Sequence, residues 1–193
     1  QASDDLFVFA NSQRSLVPVQ IAQTTRDGAV ANETAWNHEL GARLQVTPEL
    51  LSSATLFRID YEDQIQFNSS TSRFENLGET RHQGVELSNR WALNSQWELG
   101  LGYTFLDTEQ LTGDNEGNEL PNAPTHKVSA EALYSYQAWD ASLNWVYVSE
   151  SYSDADNTEE ETSNGSAGEL PDYHLVTTRV GRDFAVGGDR VLN

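Results

Sequence analysis

The stretch Gln96-Trp97-Glu98-Leu99-Gly100-Leu101-Gly102-Tyr103-Thr104-Phe105-Leu106 alternates residue by residue. In an extended chain it puts Trp97, Leu99, Leu101, Tyr103 and Phe105 on one side and Gln96, Glu98, Gly100, Gly102 and Thr104 on the other. Successive side chains of a strand point to opposite faces, so this is a strand with one greasy face and one polar face. The pattern recurs outward in both directions. Val128, Ala130, Ala132, Tyr134 and Tyr136 oppose Lys127, Ser129, Glu131 and Ser135; Trp139, Ala141, Leu143, Trp145 and Tyr147 oppose Asp140, Ser142 and Asn144. Upstream, Trp36, His38, Leu40, Ala42, Leu44 and Val46 oppose Asn37, Glu39, Gly41, Arg43 and Gln45. Phe57, Ile59 and Tyr61 are likewise expected to oppose Arg58, Asp60 and Glu62.

About eight strands follow from this reading, near residues 6–15, 36–46, 50–62, 80–92, 96–107, 126–137, 139–150 and 172–184. Their connections alternate in length. Thr47-Pro48-Glu49, Leu93-Asn94-Ser95 and Gln137-Ala138 are short turns, whereas the links near 16–35, 63–79, 108–125 and 151–171 are long and polar. Short turns at one end and long loops at the other are the habit of an antiparallel transmembrane β-barrel. Trp36, Trp91, Trp97, Tyr136, Trp139, Tyr147 and Tyr152 fall near strand ends, where an amphipathic ring sits at head-group level. The rival all-β fold is a soluble sandwich, whose core would take up the apolar face. Charges expected on the inward face (Glu39, Arg43, Arg58, Asp60, Glu86, Arg90 and Glu131) and the length of the strands speak against it.

Composition narrows the function. Thirty acidic residues against 11 basic ones give a formal charge of -19, which repels phosphate backbones, so no nucleic-acid partner is expected. With no Cys there is neither a disulfide nor a thiolate site. No stretch reaches the roughly 20 apolar residues of a spanning helix, a limit that does not apply to strands. The chain opens on Gln1 without an initiator Met or a signal-peptide pattern, and it stops at Val191-Leu192-Asn193 after a Gly187-Gly188-Asp189 turn signal. A piece of a longer barrel is therefore expected.

Chemistry-bearing constellations are few. His38, His82, His126 and His174 lie on separate strands without ligand-pair spacing, so no metal site is expected. The acidic run Asp154 to Glu161 lacks the glycine and the terminal glutamate of an EF-hand loop and reads as a solvated outer loop. Neither a Gly-x-Ser-x-Gly elbow nor a Gly-x-Gly-x-x-Gly phosphate loop is present, and no enzyme is read here.

Three stretches, in order along the chain, carry a family resemblance. The first is Asn76-Leu77-Gly78-Glu79-Thr80-Arg81-His82-Gln83-Gly84-Val85-Glu86-Leu87. The second is Gly117-Asn118-Glu119-Leu120-Pro121-Asn122-Ala123-Pro124-Thr125-His126-Lys127. The third is Tyr152-Ser153-Asp154-Ala155-Asp156-Asn157-Thr158 with its return Asn164 to Tyr173 through Gly165, Gly168 and Pro171. Together they resemble the carboxyl-terminal barrel portion of TonB-dependent outer-membrane receptors, the ferric citrate (dicitrate) receptor-like branch. That resemblance implies part of a barrel of about 22 strands whose plug, TonB box and terminal strands lie outside residues 1–193. It implies a multi-pass barrel in the outer membrane of a Gram-negative bacterium, surrounded by outer-membrane lipid. It also implies energised import of ferric citrate or a related ferric siderophore through the TonB complex, with the ferric chelate as cargo and no cofactor.

The family's ligand capture uses arginines and polar loop groups, and a loop glutamine near Gln64-Ile65-Gln66-Phe67-Asn68-Ser69 points to Gln66 and Asn68 as ligand-binding candidates. Arg81, His82, Gly84, Glu86, Pro121, Pro124, His126, Asp154, Asn157 and Pro171 are expected to be structural. The prolines suit strand mouths, Gly84 marks a bulge or a close backbone approach, and Arg81, His82 and Glu86 belong to a polar network in the wall. The loops near 107–119 and 150–169 are crowded with Asp and Glu. They repel a polyanion within about 8 Å at physiological salt, so ferric citrate would need arginines supplied from elsewhere. A passive porin-like or adhesin-type outer-membrane barrel is the alternative function.

Overall fold

The computed structural model describes residues 5–20, 30–68, 72–185 and 191–192. Eight long strands carry the architecture: β1 (Leu6–Val17), β2 (Glu33–Thr47), β3 (Leu50–Glu62), β6 (Thr80–Ala92), β7 (Trp97–Gln110), β8 (His126–Tyr136), β9 (Trp139–Val148) and β12 (Tyr173–Arg182). Three small hairpins complete it, formed by β4 (Ile65–Asn68) with β5 (Arg73–Asn76), β10 (Ser151–Tyr152) with β11 (Glu169–Leu170), and β13 (Phe184–Ala185) with β14 (Val191–Leu192). The long strands form one antiparallel meander in the order β1-β2-β3-β6-β7-β8-β9-β12. The expected strands agree with these to within a few residues; the small hairpins were not anticipated. Ser69 and the Gly187-Gly188-Asp189 turn lie outside the described residues.

Directly paired residues share a face, so the register sorts the sheet into two surfaces. One carries Leu40, Leu56, Val85 and Phe105 in a single cross-strand row, and Ala42, Ala54, Leu87, Tyr103, Val128 and Tyr147 in the next. Its residues are open: Leu40, Leu101 and Val180 are 53%, 53% and 70% exposed. Among the described residues only Ala35, Leu120 and Val148 are buried apolar side chains, so the greasy face covers no protein core. An apolar sheet face without a core beneath it suits hydrocarbon rather than water. On β7 the apolar side runs from Trp97 to Phe105, about 27 Å at roughly 3.4 Å per residue, close to the height of a barrel's lipid band.

Aromatic rings bound this band. Toward the short turns stand Trp91, Trp97, Tyr134, Tyr136 and Trp139, with the Trp97 and Tyr134 rings 4.7 Å apart and the Arg182 guanidinium 4.9 Å from the Trp139 ring. Toward the long loops, histidines stack on the aromatics: His38 on Trp36, His126 on Tyr103 and His174 on Trp145. Tyr152, expected in the same belt, lies in the loop hairpin instead.

The two faces of β3 are the reverse of the expectation over its last turns. Arg58 pairs with His38 and Asp60 with Trp36, so both are on the lipid-side surface, while Phe57, Ile59 and Tyr61 share the other surface with Glu39, Asn37 and Ala35. Alternation within one strand cannot say which side is which; the ladder to its neighbour does. Beyond the apolar band the outward surface turns polar, and it does so on three adjacent strands. Arg58 and Arg81 both reach Asp60, at 2.8 and 2.9 Å, and Gln83 donates to Asp107 at 2.8 Å. Glu39, Arg43, Glu86, Arg90 and Glu131 do lie on the opposite, lumen-side surface.

Candidate functional site

At the long-loop end, the strands deliver four connections that bond to one another. The loop 63–79 folds back as the β4–β5 hairpin. Its Asn76 side chain accepts from Ala31 N and donates to Asp63 O, while Ile65 N donates to Glu33 Oε2. The same loop is tied to the next one: Glu79 N donates to Thr112 Oγ1, Leu111 N to Glu79 O, and the Gln110 amide to Leu77 O. Gln110 itself is 5% exposed, an uncommon burial for a glutamine that its two carbonyl partners, Leu77 and Thr112, account for.

The third loop, 111–125, is clasped to the fourth, 149–172, by the Asp154-to-Thr158 motif. Asn157 sits in left-handed geometry at φ 52°. Its side chain accepts from Glu119 N at 2.8 Å and donates to Glu119 O at 2.8 Å, a reciprocal pair spanning 38 residues. Asn115 donates to Asp156 and Asn118 to Ala155 O, each at 2.9 Å. Asp154 shapes its own turn by accepting from Asp156 N and Thr158 Oγ1, and its other oxygen takes Gly168 N. Short polar side chains of this kind replace a strand ladder where loops must be ordered without one.

Between these loops is a cavity of about 350 Å³, bordered by Gln66, Phe67, Glu75, Asp114, Asp154 and Asp156 among others. Pro121 also borders it, fixing the third loop as it turns toward β8. The Phe67 ring, 51% exposed, is held edge-on by Phe74 at 5.2 Å across the hairpin. The surroundings are electronegative. Partial desolvation first, and then the carboxylates of Glu119, Glu159 and Glu169, push the Tyr152 phenol above its ordinary range.

Of the residues singled out from sequence, the structure brings Gln66, Pro121 and Asp154 to this cavity and Asn157 to the clasp beside it. Asn68 ends β4 opposite Arg73; its side chain lies outside the described residues. Arg81 belongs to the outward Asp60 network, and His82 packs edge-on to Tyr61 at 5.0 Å with Nε2 3.4 Å from Gln64 Oε1, which also accepts from Thr80. Gly84 is a close approach and no bulge: a Cβ there would meet Phe105 O at 2.0 Å and the Phe57 ring at 2.8 Å. Glu86 is exposed between Thr55 and Thr104. His126 opens β8, its Nδ1 3.0 Å from the Tyr103 hydroxyl; Pro124 precedes it, and Pro171 separates β11 from β12. Glu75, Asp114 and Phe67 were missed. The alternation Ile65-Gln66-Phe67-Asn68 marks a strand for Phe67 but not the cavity it borders, and the acidic crowding near 107–119 marks a loop for Asp114 but not its place.

An eight-stranded lipid-facing meander with long loops gathered over one end has a counterpart among known proteins. Residues 1–191 match the family described as TonB dependent receptor-like, beta-barrel. The chain belongs to that family. It is a family of receptors, not of enzymes, and the ferric chelate named in its members' descriptions is what they carry rather than a cofactor. The crystal structure of the ferric citrate transporter FecA in its unliganded form is similar over 97% of this chain and 30% of that one, with a TM-score of 0.78 and 29% identity. A probable TonB-dependent siderophore receptor, PiuA of Acinetobacter baumannii, is 26% identical over 143 residues, 65% of this chain and 19% of the relative. The catecholate siderophore receptor Fiu of Escherichia coli is 32% identical over 108 residues, 53% of this chain and 14% of that protein. The barrel chain thus spans about a fifth or less of the curated relatives it matches, and its place is the outer membrane.

Proposed function

We propose that this chain is the part of an outer-membrane receptor that receives a ferric chelate from outside and passes it inward when TonB acts on the receptor. Residues 1–193 would form one stretch of the barrel, with the plug and the remaining strands supplied by the rest of a longer protein. The observation that carries the reading is the combination of family membership with the loop cavity: a polar vestibule, lined from three bonded loops, at the long-loop end of the sheet. Gln66 lines it from the β4–β5 hairpin, and Asn68 closes that strand; both are proposed ligand contacts. A polar vestibule of this size holds a hydrophilic chelate, with amide groups able to donate to its oxygens.

Ferric citrate is the first cargo to test, because the three sequence stretches and the likeness to FecA favour it. The relatives named for catecholates and other siderophores keep the wider class in view. Uptake of radioactive iron by cells that carry the full-length gene, with and without TonB, checks the proposal. Iron should enter with at least one chelate and should stop when TonB is inactivated; entry that ignores TonB would sink the import reading in favour of a passive pore.

A further inference from the structure

We infer that Arg182 and the shallow groove beside it bind an anionic glycerophospholipid of the membrane leaflet on the short-turn side, with the phosphodiester on the guanidinium and an acyl chain along the groove. Arg182 pairs with Trp139 and Val180 with Ala141, so both side chains leave β12 on the lipid-facing surface. The guanidinium carbon lies 4.9 Å from the Trp139 ring and 5.1 Å from the Phe184 ring. These two cation–π contacts fix the fork at the height of the aromatic belt. Among the described residues the fork meets no carboxylate within ion-pair distance and no hydrogen-bond acceptor. A fixed guanidinium at head-group level thus keeps its whole set of N–H donors for a group outside the chain.

The groove supplies the second half of the site. It holds about 230 Å³ and is lined by Tyr134, Tyr136, Trp139, Asp140, Ala141 and Val180. Ala141 forms its floor, because its neighbours in the same cross-strand row are the larger Tyr134 and Val180. A small residue between two larger apolar ones leaves a trough that fits a hydrocarbon chain. A further strand beside β12 would lie in the plane of the sheet and leave this outward trough open. The charge of the lipid follows from what the site leaves unused. Asp140, the one carboxylate on the lining, is paired with Arg179 at 3.5 Å, and the rings at Arg182 already hold a cation. A head-group ammonium gains nothing from either and is repelled by Arg182. A phosphodiester instead takes two parallel N–H bonds from the fork.

The test counts lipids bound to the purified full-length receptor by native mass spectrometry. Phosphatidylglycerol, phosphatidylethanolamine and phosphatidylcholine with identical chains are the probes, and the thermal midpoint of each variant checks that it is folded. The first phosphatidylglycerol should bind about fivefold more tightly than either zwitterionic lipid. Arg182→Gln should abolish that preference, and Arg182→Lys should keep only part of it, because an ammonium cannot make the paired bonds of the fork. Ala141→Trp, which fills the trough, should weaken all three lipids alike. Inorganic phosphate should not displace the lipid. Equal affinities in the parent receptor, a preference that survives Arg182→Gln, full retention in Ala141→Trp, or displacement by inorganic phosphate would each overturn the inference. The result is independent of which chelate the receptor carries, so iron uptake and its response to TonB test the import reading separately.

Discussion

The band of the sheet and the collar of loops above it are ordered by different means. In the band, β6 and β7 pair without interruption from Thr80 opposite Gln110 to Ala92 opposite Glu98, and backbone ladders do the work while side chains face hydrocarbon or lumen. In the collar, hairpin strands are as short as two residues, and the side chains of Asn76, Gln110, Asn118 and Asn157 bond to backbone while Asn115 donates to the Asp156 carboxylate. The band therefore tolerates changes of side chain that keep its polarity, and the collar tolerates changes of polarity that keep its hydrogen bonds.

The largest effect should come from breaking the polarity of the band. Leu101→Arg, midway between the two aromatic belts, should cost about 2–4 kcal/mol of folding free energy in lipid. Arginine replacing Gln83, on the same outward surface but in its polar zone, should cost little. Denaturant titration of the full-length receptor in vesicles would separate them; equal costs would mean the band does not end where the Asp60 network begins.

Next in size is Gly84→Ala. Its Cβ would press on a backbone carbonyl and the Phe57 ring, so the variant should lose about 1–3 kcal/mol by the same titration. Pairing it with Phe57→Ala should restore only part, because the carbonyl of Phe105 cannot retreat without opening the ladder.

In the collar, Asn157→Ala removes one donor and one acceptor from Glu119 and should loosen loops 111–125 and 149–172 by about 1–2 kcal/mol. Hydrogen exchange should rise in those two loops and stay unchanged in β7 and β9; a rise in the strands would show that the two regions are not separable. The smallest change should be Arg14→Ala, whose exposed pair with Glu62 at 3.4 Å is worth less than about 0.5 kcal/mol and should leave the denaturation midpoint where it was.

Much of the band was readable in advance. Thr80 to Ala92 and Leu50 to Glu62 were delimited residue for residue, since a two-residue period bounded by turn chemistry is a local signal. The short turns carried theirs as well: Asn94 accepts from Gln96 N and Trp97 N, and Thr47 from Glu49 N and Leu50 N, as side chains of these types do in tight turns. The collar was legible only as polar loop. Glu75, Asp114 and Phe67 have nothing in their spacing to bring them together, and the Asn157–Glu119 clasp joins positions 38 residues apart.

By itself, the sequence determined that the chain is an antiparallel sheet with one greasy surface, short turns at one end and acidic loops at the other, because strand period, turn residues and charge are properties of neighbours along the chain. The tertiary structure alone decided that Arg58 and Asp60 face outward while Phe57 and Tyr61 face the lumen, since the sense of a strand's two sides is set by the ladder to the strand beside it. It alone decided that carboxylates from separate loops line one cavity around Phe67, because loops with no period of their own take their positions from the hydrogen bonds they make to each other.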